Sequence, residues 1–267
     1  MAIGIDVEME YALGGDPMVL LTLEAARAAG QTVLSDELCI DDATVARVDG
    51  QDGVGQRVWA RVPGARMRLR YRATVAVSRP AMTLEALGAT PMHGLPGALL
   101  GALRPSRYCQ SDMFHGFVAQ RFDGLAGGRR VAAILDWVGT ELGYVPVSDG
   151  TTTALDTFAM REGVCRDYAH LVCALARASG IPARYVAAYA PDVDPPDFHA
   201  LVEVWLEGAW HIVDATGMAR ADETVLVAVG RDASDVAFME TLAPAEFLSQ
   251  RVTVTRLAPQ APDQPSP

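Results

Sequence analysis

Cys165 lies between Gly163-Val164 and the run Arg166-Asp167-Tyr168-Ala169-His170-Leu171, where a helical pattern begins. A thiol at a helix N-terminus faces unpaired N–H groups and the positive end of the helix dipole, and both favour the thiolate. The backbone N–H of the same residue would point outward as a donor to an oxyanion. A lone cysteine more often ends as a buried structural side chain. Cys173, mid-helix beside Val172, fits that description, and Cys39 and Cys109 are read the same way.

A nucleophilic thiol needs a base. Of His93, His115, His170, His199 and His211, only His199 opens a strand that leads into a tight turn: His199-Ala200-Leu201-Val202-Glu203-Val204-Trp205-Leu206, then Glu207-Gly208. A two-residue hairpin turn there pairs Leu206 with Ala209, so cross-strand partners carry numbers that sum to 415. Asp214 then falls on the same face as His199, a diagonal neighbour about 7–8 Å away at Cα, placed to orient and stabilise an imidazolium. The same register sets Trp205 opposite Trp210, a pairing read as hairpin packing. His211 points to the other face. His170 lies about 140° round the helix from Cys165, a poor geometry for a partner. No Cys/His pair has the close spacing of metal ligands, so neither metal nor cofactor is expected.

These residues need elements to hold them. Residues 129–142 place Val131, Ile134, Leu135, Val138 and Leu142 at helical spacing. A second helix over 165–179 ends at Gly180-Ile181-Pro182. Strands are expected at 184–189, 199–206 and 210–216. The first 80 residues read as strands, notably 54–62 and 67–77, where arginines alternate with apolar residues, with Asp-Gly turns at 49–50 and 52–53. Residues 18–29 contain no helix breaker and are the one helical candidate in that region. The expected organisation is therefore a β-rich domain over 1–80, a connector over 81–128, a catalytic core over 129–257 and a disordered, proline-rich tail over 258–267.

The 267 residues carry 22 basic and 33 acidic side chains, net −11, with half of all residues apolar. A packed core is feasible, and the acidic balance argues against nucleic acid or an anionic membrane as the main partner. Lysine and asparagine are absent, so every basic side chain is arginine. Residues 1–15 have no basic, apolar leader pattern. Four unpaired cysteines suit a reducing cytosol, and cytoplasmic location is the expectation.

Together, Gly163 to His170, Gly180-Ile181-Pro182-Ala183-Arg184-Tyr185, Asp197-Phe198-His199-Ala200 and Trp210-His211-Ile212-Val213-Asp214-Ala215-Thr216 resemble the bacterial transglutaminase-like family. Arg104 to Cys109 and Gly230 to Val236 resemble further family segments, and the β-rich start is similar to the domain that often precedes such a core. The resemblance implies an α+β fold with a papain-like transglutaminase core, an antiparallel sheet and a nucleophile helix. It implies Cys165 as nucleophile, His199 as base and Asp214 as orienter in acyl transfer on amide or peptide bonds, with a peptide or protein substrate. Leu201 and Ala215 replace the tryptophan and proline frequent in the family, so substrate identity does not carry over.

Hydrolysis is favoured slightly over transamidation, because crosslinking would be hard to restrain in a cytosol. Tyr144, after the first long helix, is a candidate second oxyanion donor. The loop 191–198 brings Asp192, Asp194 and Asp197 to His199, where they would raise its pKa and disfavour acidic substrates; a stiff, solvated connector fits equally well. Two other readings stay open: a binding module that keeps the triad, and an acyl-CoA-dependent amine acyltransferase, for which no basic phosphate-binding cluster is present. Oligomeric state is not readable.

Overall fold

The computed structural model describes residues 1–15 and 18–258. Among these, six strands come first: β1 (Ala2–Leu13), β2 (Met18–Leu21), β3 (Gln31–Ile40), β4 (Thr44–Asp49), β5 (Gln56–Arg61) and β6 (Arg66–Val77). After the connector follow α1 (His115–Arg121), α2 (Gly127–Glu141), β7 (Gly143–Tyr144), α3 (Ala154–Met160), β8 (Glu162–Gly163) and α4 (Cys165–Ala178). The chain continues through β9 (Ala183–Tyr189), β10 (His199–Leu206), β11 (Ala209–Val213), β12 (Val225–Gly230), β13 (Met239–Thr241) and β14 (Ala245–Leu257). The fold is mixed α+β, with antiparallel sheets and a β-rich N-terminal region.

Period-two patterning builds the first sheet, ordered β14-β1-β6-β3. Ile3, Ile5, Val7 and Met9 of β1 and Met67, Leu69, Tyr71, Val75 and Val77 of β6 turn inward and are buried. Outward-facing Asp6 and Glu10 of β1 bond Arg70, Arg72 and Arg68 of β6 at 2.8–3.1 Å. Such exposed pairs set register more than stability, at roughly 0–1 kcal/mol each. A second sheet, β13-β2-β5-β4, uses the Gly50–Gly55 turn between its last two strands.

The third sheet, β11-β10-β9-β12, carries the candidate chemistry. One face is covered by α4, buried continuously from Asp167 to Arg177. The other packs Val186, Ala188, Leu201, Ile212, Leu226 and Val229 against Ala26 of the N-terminal region. That burial on both faces explains why β9, β10 and β12 are almost uniformly apolar. Gly55 makes the approach possible: its φ is +72°, and a Cβ there would sit 2.0 Å from the Val227 carbonyl oxygen.

Residues 18–29, the helical candidate, are not helical. They form β2 and an irregular run whose N–H groups bond other segments: Thr22 to Phe238 O, Ala25 to Tyr71 Oη and Ala26 to Leu226 O, at 2.8–2.9 Å. An apolar run buried against two sheets has no helical periodicity to betray it. Residues 245–257, expected within the catalytic stretch, form β14 instead and pair with β1 over its whole length. The strand expected over 210–216 is β11 and stops at Val213, leaving Asp214 in the following turn. Of the tail, all but Ala258 lies outside the described residues.

Arg177 locks α4 to its surroundings. Buried at 3% exposure, it donates to Ala183 O (3.0 Å), Arg104 O (3.3 Å), Ser106 Oγ (3.1 Å) and Arg231 O. Arg177→Met would leave buried carbonyls unpaired and is expected to cost about 3–4 kcal/mol in chemical denaturation.

Candidate active site

The N-terminus of α4 is fixed by its own first turn. Gly163 is required by space, since a Cβ would lie 2.6 Å from that of Asp167. Asp167, fully buried, accepts from the Val164 N–H at 3.0 Å through Oδ2 and pairs with Arg166 at 3.0 Å through Oδ1. Arg166 also donates to Ser148 Oγ and Asp149 O, so the cation next to Cys165 is already engaged. Cys165 itself is partly exposed, whereas Cys109 and Cys173 are buried.

The β10–β11 hairpin has the anticipated register, with Trp205 opposite Trp210 and Val202 opposite Val213. His199, 2% exposed, bonds Asp214 Oδ2 through Nε2 at 2.9 Å. Asp214 is held in turn by the Thr216 N–H and hydroxyl and by the Ala219 N–H, at 2.8–2.9 Å. A carboxylate on Nε2 keeps that nitrogen protonated and leaves Nδ1 as the basic one. Nδ1 is buried and without a full hydrogen bond; its ionisable neighbour is the Cys165 thiol. Catalytic pairs are commonly loose before substrate binds.

Burial disfavours the imidazolium of His199, but the bonds and charges of Asp214 and Cys165 outweigh it and raise the pKa to about 9. For Asp214, burial is likewise outweighed by the His199 bond and charge, and its pKa falls. The site therefore sets an imidazolium, held by Asp214, beside the Cys165 side chain.

The parallel pairing of β7 with β8 sets Tyr144 opposite Gly163 and brings its hydroxyl to Cys165. Desolvation, with the charge of Cys165 next, raises the Tyr144 pKa to about 12. The other histidines have different duties. His170 is buried between the rings of Tyr108 and Tyr185, accepts from the Ala233 N–H at 3.1 Å, and is held neutral by burial, with a pKa of about 3. His211 Nε2 bonds Leu206 O. Trp205 and Trp210 meet edge to face, 5.3 Å apart, with Arg184 against Trp210. The segments 104–109 and 230–236 meet through the Tyr108 N–H and Asp232, at 2.9 Å.

Two supports of the site carry no role in the sequence reading, one within the Asp214-Ala215-Thr216 motif and one far along the chain. Thr216 braces Asp214, and Gln250 of β14 donates to Asp197, two residues before His199, at 2.5 Å. Among the described residues, no cluster of three His, Cys, Asp or Glu side chains offers a metal site, and no helix is long and apolar enough to cross a membrane.

Residues 118–215, which include Cys165, His199 and Asp214, match the model of the transglutaminase-like superfamily. The crystal structure of a Cytophaga hutchinsonii protein described as a "putative cysteine protease" superposes with a TM-score of 0.87, at 31% identity, covering 97% of this chain and 91% of that one. The chain belongs to the transglutaminase-like superfamily. An uncharacterized protein of Mycobacterium leprae is 32% identical over 142 residues, 49% of this chain and 51% of that protein, so the chain spans about half the length of this relative. One of Mycobacterium tuberculosis is 28% identical over 239 residues, 77% of this chain and 75% of that protein. The likeness to the Cytophaga structure extends beyond the matched core to the N-terminal sheets.

Proposed function

We propose that the protein is a cysteine-dependent acyl-transfer enzyme that cleaves amide or peptide bonds through a Cys165 thioester. The observation that carries this reading is the division of the His199 ring: Nε2 is committed to Asp214, while buried Nδ1 is left for the thiol at the start of α4. Cys165 attacks the substrate carbonyl, and the resulting oxyanion takes the Cys165 N–H and the Tyr144 hydroxyl as donors. His199 gives its proton to the departing amine, leaving the thioester. Neutral His199 then removes a proton from water, which attacks the thioester carbonyl; collapse releases the carboxylate and restores the thiolate–imidazolium pair. This chemistry suits a reducing compartment, and the four free thiols fit the cytoplasm.

Hydrolysis is favoured over transfer to an amine. Incubation of the enzyme with casein peptides and a fluorescent primary amine separates the two. The reading predicts new carboxyl termini by mass spectrometry, lost in Cys165→Ala, and little amine incorporation. Amine incorporation in place of new termini would make the enzyme a transamidase. Tyr144→Phe is expected to lower kcat on the order of a hundredfold while changing KM little, the signature of a donor to the oxyanion. An unchanged kcat would remove Tyr144 from that role.

A further inference from the structure

The loop between β9 and β10 is secured at its two ends by the N-terminal sheet. Arg256 of β14 pairs with Asp192 near its start, through Nη1 at 2.8 Å. Gln250 of the same strand donates to Asp197 Oδ1 near its end. That oxygen also accepts the Phe198 N–H at 2.7 Å, so both bonds fall on Oδ1 and neither uses Oδ2. Phe198 anchors the backbone beneath, its ring 4.6 Å from Phe238 and 5.3 Å from Tyr189.

Asp197 therefore presents an exposed but immobilised carboxylate two residues from the candidate base. Among the described residues no arginine or histidine forms an ion pair with it, whereas Asp192 and Asp167 are paired. Its charge reaches both Tyr144, whose hydroxyl touches Cys165, and Tyr11 of β1, whose ring meets half-exposed Phe247 at 5.6 Å. The two positive charges nearest the thiol are both engaged: the His199 imidazolium on Asp214, and Arg166 on Asp167 and the 148–149 segment. Two residues before His199, an unpaired carboxylate thus stands next to aromatic side chains, the combination that binds ammonium and guanidinium groups.

We infer that Asp197, oriented by Gln250, is a specificity residue that selects substrates carrying a cationic side chain next to the amide that Cys165 attacks. The inference rests on the acyl-transfer reading and assigns the N-terminal sheet a part in substrate choice: β14 aims the carboxylate and β1 supplies an aromatic wall.

No substrate is needed for the test. Alkylation of Cys165 is followed by mass spectrometry with neutral iodoacetamide, anionic iodoacetate and cationic 2-bromoethylamine, each rate divided by that of free N-acetylcysteine. Asp197→Asn, which retains an oxygen for Gln250, should shrink the cationic-to-anionic ratio roughly fivefold, the order expected for one nearby charge in a largely aqueous setting. Raising salt on the wild-type protein should compress the same ratio. A ratio that is the same in Asp197→Asn, or that salt does not move, overturns the inference while leaving the acyl-transfer reading intact. A Cys165 slow with all three reagents overturns both.

Discussion

Cys165→Ala is expected to reduce amide hydrolysis by roughly 10⁴-fold or more, and His199→Ala to cost about as much. The double variant should be no worse than either alone. The reason is that the two side chains act as a unit. A thiol without the imidazolium is a weaker nucleophile and has no acid for the leaving amine; an imidazole without the thiol has nothing to activate. Residual activity would come from substrate binding and the oxyanion donors alone. Cys173→Ala and Cys109→Ala make the controls, since both residues are buried in the packed core. Steady-state rates on peptide substrates, with the folded state verified by circular dichroism, make the comparison.

Asp214→Asn is the second large effect, and it shows most clearly in pH dependence. Burial on its own pushes the His199 pKa down; the Asp214 bond and charge, with Cys165, bring it to about 9. The protonated ring is the form that donates to the leaving amine, so wild-type kcat/KM should hold on the alkaline side until near pH 9. The substituted amide keeps the shape of the carboxylate and loses its charge. Burial is then less opposed, and the alkaline limb should move down by a unit or more, which by itself costs about twofold or more at pH 8; loss of the orienting carboxylate should deepen the fall to on the order of a hundredfold. Stability follows the same sign. A raised His pKa stabilises the fold fully below the unfolded value near 6.5, and that contribution is lost as pH rises through about 9. Thermal midpoints of the wild type should therefore decline across that window more than those of Asp214→Asn. Parallel pH profiles in the two proteins would mean that Asp214 does not set the charge of His199.

Much of this arrangement is legible in the sequence because it is local. The Glu207-Gly208 turn fixes the hairpin register, and from register alone His199 and Asp214 fall on one face; the structure brings their side chains to 2.9 Å. The helix start at Cys165 is equally local, set by Gly163 and the Asp167 cap. What pattern does not reveal is pairing across long separations. Nothing in residues 245–257 names β1 as a strand partner. The ties from Gln250 and Arg256 to the loop before His199 span 53 and 64 residues. Residues 18–29 failed as a helix for a related reason: their apolar character serves contacts on two sides, and their N–H groups bond segments that lie far along the chain. The Tyr144 position depends on a two-strand parallel pairing too short to carry any periodic signal.

The central claim is that His199 activates Cys165, and the exposed Cys39 offers an internal standard for it. Iodoacetamide alkylation of both cysteines at about pH 6.5, near the unperturbed histidine pKa, quantified by mass spectrometry in wild type and His199→Ala, tests the claim directly. The account predicts that Cys165, though more buried, reacts at least roughly tenfold faster than Cys39, and that His199→Ala erases the difference. A Cys165 that reacts no faster than Cys39, or that keeps its advantage without His199, would contradict it.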